Sequence, residues 1–133
     1  MNGETLVRLR GILMGGAGFV CLCYAVLALI MARPDPVYPF IPGIAGVLAS
    51  IVIFAAFWRA SSGSRKQASD ETFKIEMNQA AKIGFWAAVV MYPAFAPFLA
   101  WELRSFEVVY AVMGTLTAAA FLLSFAFISL RGL

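Results

Sequence analysis

Apolar residues fall along this chain in four long blocks, at 11–32, 40–58, 83–101 and 108–130, and no charged residue lies inside any of them. An uncharged helix of about 20 residues, rising 1.5 Å per residue, spans a hydrocarbon core about 30 Å thick. The pattern predicts an all-α fold: a polytopic membrane protein with four transmembrane helices in one domain over 1–133. The first block is also the place to look for a cleaved signal peptide. At 22 residues it exceeds the usual apolar region of roughly 7–15, and no small-x-small site precedes Arg33-Pro34. It is predicted to be a retained helix.

The polar positions between the blocks differ in kind. Segment 33–39 carries three prolines, which fix φ and stop helix continuation, so a stiff extended connection is expected. Segment 102–107 has six residues, which makes the third and fourth spans antiparallel neighbours. The long polar segment is 59–82. Its first part, RASSGSRKQA, is rich in Ser and Gly and reads as flexible. From Ser69 the pattern turns helical. Ser69 is predicted as the cap, with Asp70 and Glu71 in the first turn against the positive end of the dipole, and Asp70 with Lys74 at i,i+4. Phe73, Met77, Ala80 and Gly84 share one face. The expected element is a helix continuous with the third span, extended into the cytoplasm over 69–82. Three readings of this extension stand: a solubilising segment, a docking face for a partner through Phe73 and Met77, or a helix lying flat on lipid.

Composition narrows the class. The chain is 62% hydrophobic and 13% charged, against roughly 45–50% and about 25% for a soluble domain. A chain of 133 residues has too little interior to bury that much apolar side chain, so much of it faces lipid. The net charge of +3 does not point to nucleic acid, because the basic residues flank spans instead of forming a stripe. Eight of them (Arg8, Arg10, Arg59, Arg65, Lys66, Lys74, Lys82, Arg131) fall on one side and two, Arg33 and Arg104, on the other. The asymmetry places both termini and segment 59–82 in the cytoplasm, with the chain multi-pass in a bacterial inner (plasma) membrane. Tyr38, Trp101 and Tyr110 then mark the outer interface and Trp58 the inner one.

Helices in lipid pack through small residues. Gly11-x-x-x-Gly15 with Gly16 and Gly18, Gly43 with Gly46-x-x-x-Ser50, and Gly114-x-x-x-Ala118 each supply such a face, for packing within the chain or for self-association and partner subunits. Pro93 and Pro97 stand four apart in the third span. Each removes a backbone donor, so a kink or local unwinding is expected near Tyr92, with Tyr92, Thr115, Thr117 and Ser124 available to the freed carbonyls.

The catalytic inventory is thin. No ionisable residue lies within a span, which argues against proton- or ion-coupled transport, and the chain has no histidine, which removes His-based haem, zinc and acid–base chemistry. Cys21 and Cys23 would point about 200° apart on a helix, so neither a disulfide nor a two-thiolate metal clamp is expected. Glu102 and Glu107 flank Arg104 as an interfacial ion-pair cluster. No catalytic, cofactor or metal site is predicted.

Segment 70–86, DETFKIEMNQAAKIGFW, resembles the approach to a membrane helix in small uncharacterised bacterial four-helix inner-membrane proteins. Those carry an Asp-Glu pair, an apolar residue soon after, an alanine ten beyond the Asp and an aromatic pair. Here these are Asp70, Glu71, Ile75, Ala80 and Phe85-Trp86. The basic or aromatic residue that often follows the acidic pair is Thr72 instead. The resemblance covers about 17 residues and implies the topology without an activity.

Together these observations favour a non-enzymatic accessory or scaffolding subunit of a larger membrane complex, acting through lipid and helix contacts with other membrane subunits. The alternatives are a small homo-oligomeric transporter or channel using the Pro93/Pro97 break, and a regulator with a cytoplasmic docking helix.

Overall fold

The computed structural model describes residues 2–38 and 40–132, so Pro39 in the first connecting loop lies outside the description. It contains helices α1 (Gly3–Met31), α2 (Ile41–Arg59), α3 (Ser62–Ala68), α4 (Glu71–Ala100) and α5 (Phe106–Arg131). Four of these are long and apolar enough to cross a membrane, as the hydropathy pattern predicts.

Four of the five helices start at a side-chain cap. Asn2 Oδ1 accepts from Thr5 N at 2.8 Å, and Glu4 pairs with Arg8 at 3.3 Å, so α1 begins well before its apolar run. Ser105 caps α5 through Val108 N, with Glu107 in the first turn and Arg131 in the last, both suited to the helix dipole. Two expectations for segment 59–82 are corrected. RASSGSRKQA is not simply flexible: Ser61 accepts from Ser64 N at 3.2 Å and starts the two-turn α3. Ser69 then terminates α3, its N–H donating to Arg65 O, and the cap of α4 is Asp70, which accepts from Phe73 N at 3.3 Å. A carboxylate opposes the dipole better than a hydroxyl. That bond draws Asp70 back to its own backbone, and it makes no ion pair with Lys74. The extension itself is present, since α4 runs unbroken from Glu71 to Ala100.

The long helices form a row, α2–α1–α5–α4, and do not close into a ring of four. α1 packs along α5, α4 lies on the far side of α5, and α2 and α3 rest on α1. Glycine sets the central spacing. A Cβ built at Gly11 would stand 2.9 Å from Leu130 Cγ, one at Gly15 3.1 Å from Ala126 Cβ, and one at Gly18 2.9 Å from Leu122 Cβ. Above this stripe Ala25, Ala28, Val108 and Val112 make the main buried cluster. At the opposite edge of α5, Ala80 is fully buried and a Cβ at Gly84 would lie 3.1 Å from Phe121 Cβ. Phe73, against Phe125, and Gly84, against Phe121, put the face shared by Phe73, Ala80 and Gly84 toward α5.

The two ends of the row are tied differently. At one end Leu6, Ala60 and Ala68 pack α1, α2 and α3 together, and Gly3 and Gly132 border the same hollow, so both described chain ends meet there. At the other end Arg104 Nε donates to Leu29 O at 3.0 Å and Tyr24 OH to Pro34 O at 3.0 Å. Arg104 donates to carbonyls, and the expected cluster with Glu102 and Glu107 does not form. Both cysteines are free, Cys21 buried and Cys23 exposed.

Candidate functional site

A polar hollow of about 340 Å³ lies at the end where the chain ends meet, bordered by the first turns of α1 and α4, the last turn of α5 and the end of α3. Arg10 is its centre. The side chain is only 6% exposed, a burial that an unpaired arginine tolerates only with compensation. Nη1 donates to Ala68 O at 2.9 Å, and the guanidinium carbon lies 4.2 Å over the Phe73 ring and 5.5 Å from that of Phe125. Phe73 and Phe125 meet edge to face at 6.0 Å. One cation thus joins α1, the α3–α4 link, α4 and α5 through a hydrogen bond and two aromatic faces. Arg10 Nε and the Ser129 hydroxyl are buried and have no hydrogen-bond partner among the described residues. Glu76, also buried, borders the same hollow, and no ion pair joins it to Arg10.

Neither Arg10, Glu76 nor Ser129 stands out in the sequence. Arg10 reads as one more basic residue beside a span. A usable signal was present in Glu76: it falls three residues after Phe73 and four before Ala80, a carboxylate on the face that packs inward. Phe73 lies on the same face and is engaged within the chain, against Arg10 and Phe125.

The glycines divide into two sets. Gly11, Gly15 and Gly18 are filled by α5, which removes them as a self-association face. Gly43, Gly46 and Gly114 have nothing within 4 Å of a built Cβ. Gly114 borders an apolar groove of about 660 Å³ between the second half of α4 and the first half of α5, with Tyr92, Phe95, Leu99, Phe106 and Met113 among its walls. Gly46 lies on α2, in which no residue is buried, and its carbonyl accepts from Ser50 Oγ at 2.8 Å.

The local unwinding expected as one outcome at Pro93 and Pro97 is not seen: α4 is helical through both. The prolines leave Val89 O and Pro93 O without their usual donors. Unwinding would free further backbone groups where no water can take them, so the helix persists. Thr115 donates instead to Ala111 O, and Thr117 to Met113 O and Met91 Sδ. Among the described residues neither they nor Tyr92 or Ser124 reach the freed carbonyls, and no cluster of three His, Cys, Asp or Glu side chains could hold a metal ion. Compared with protein-family models, with curated proteins and with solved structures, the chain matches none of them.

Proposed function

We propose that the chain is a non-catalytic accessory or scaffolding subunit of a larger complex in a bacterial inner (plasma) membrane, with both termini cytoplasmic. The observation that carries this reading is α2, a span-length helix at the edge of the row with no buried residue. Lipid alone could cover an apolar helix. The exposed surface of α2, however, carries Gly43 and Ser50, with the half-buried Gly46 beside them, and small residues matter where another backbone approaches closely. Ile44, Val47, Ile51 and Phe54 stand exposed around them as material for such a contact. The eight-to-two distribution of basic residues supports the orientation.

The two glycine sets supply the test. A Cβ added at Gly46 has nothing within 4 Å among the described residues, so for Gly46→Leu the melting temperature in mild detergent should match the wild type while co-migration with a larger species on a native gel is lost. Gly18→Leu collides with α5 and should destabilise the isolated chain, by about 1–3 kcal/mol as overpacking does. A wild-type chain that migrates alone after gentle extraction would overturn the reading.

A further inference from the structure

The hollow around Arg10 has an arrangement of charge that selects a ligand. At its floor are two buried donors, Arg10, 6% exposed, and Ser129, 1% exposed, whose Nε and Oγ have no partner among the described residues. Its walls are acidic. Glu4 is neutralised by Arg8 at 3.3 Å, and Asp70 gives one oxygen to Phe73 N. Glu76 faces the hollow near Gly132, its Oε1 3.7 Å from a Cβ built there. Ser129 O and Ile128 O lie 3.7 and 3.8 Å from the same built Cβ, at the negative end of a helix dipole. A simple anion suits the floor and is repelled by the walls. A simple cation suits the walls and meets Arg10. A ligand with both signs satisfies each. The upper carboxylate and terminal carbonyls accept hydrogen bonds, so the positive group should be a primary ammonium, which has three donors, and not a quaternary one, which has none.

We propose that this hollow binds a phosphoethanolamine group, its phosphate oxygens toward Arg10 and Ser129 and its ammonium toward Glu76 and Asp70. The group has two sources, the headgroup of an ethanolamine phospholipid or the free zwitterion. The site rests on the hollow alone and is independent of the accessory-subunit reading.

The full chain in nanodiscs with equal parts of choline, ethanolamine and glycerol phospholipid, followed by native mass spectrometry of retained lipid, tests the first source. A thermal-shift titration with free phosphoethanolamine in choline-only nanodiscs tests the second. Selective retention of ethanolamine phospholipid assigns the lipid source, and a saturable shift in the second arm alone assigns the soluble one. In whichever arm responds, Glu76→Gln and Ser129→Ala should each weaken the response about tenfold, as loss of a hydrogen bond to a charged group does, and Lys74→Gln should not. Both variants remove a polar group outside the Arg10–Ala68 tie, and Ser129→Ala keeps the reading falsifiable should Glu76→Gln fail to fold. Equal retention of all three lipids with no shift, or preference for the glycerol lipid, would overturn the proposal and leave the buried donors to water.

Discussion

Ala32 closes α1 with φ of 54°, in the left-handed region, its N–H bonded to Ala28 O. A side chain there costs about 1–2 kcal/mol that glycine does not incur. Ala32→Gly should therefore raise stability in detergent by about 1 kcal/mol, read from a thermal or denaturant midpoint. The cap of α4 gives a paired expectation. Asp70→Ala should cost about 1 kcal/mol, and Ser69→Ala much less, since Ser69 contributes to α4 no hydrogen bond recorded among the described residues. Equal losses would return the cap to Ser69. At this scale the sequence is a partial guide. It marks which residues are able to cap or pair, but the choice between Ser69 and Asp70 depends on α3, whose end already uses Ser69. The burial of Arg10 is set in the same way, by Phe73 and Phe125 arriving from α4 and α5. Their separation along the chain from Arg10 hides the contact from any local pattern.

Among the elements, α4 joins an amphipathic extension to a proline-bearing span without interruption. Replacing Pro93 by alanine restores a donor to Val89 O and removes a ring clash, so Pro93→Ala should stabilise the chain by about 1–3 kcal/mol. Detergent unfolding measures this; a lower midpoint would show that the proline fits a shape the helix needs. The existence of each long helix was legible from block length, because a lipid-facing helix shows its apolar residues on every side. What block length does not encode is pairing. Gly11, Gly15 and Gly18 look no different in sequence from Gly43, Gly46 and Gly114, yet α5 fills the first set and no described residue fills the second.

For the whole molecule, the row α2–α1–α5–α4 leaves two edges, whereas a closed four-helix arrangement would leave none. The shared end of Gly3, Ala60, Ala68 and Gly132 makes a topological expectation concrete. With Cys21 and Cys23 replaced by alanine, single cysteines at Gln67 and at Glu102 should react with an impermeant thiol reagent from opposite sides of a sealed vesicle, Gln67 from the cytoplasmic side. Labelling of both from one side would refute the four-span path. The hydropathy blocks and the asymmetry of basic residues carry the predicted path. The order of helices across the row rests on which small residues meet which large ones, as Gly18 meets Leu122.

The closeness of α1 and α5 bears on how the chain is made. The main partner of α1 is α5, three long helices further along, and the glycine-lined face of α1 stays uncovered until α5 has been synthesised. Neither α2 nor α4 can substitute for α5 in that interval, because Leu122, Ala126 and Leu130 are the side chains shaped to those glycines. A ribosome stalled before residue 106 would therefore leave a chain already threaded through the bilayer but without its central contact. Such a product should be cleared by membrane proteases, while a chain with α2 altered on its outer face should persist.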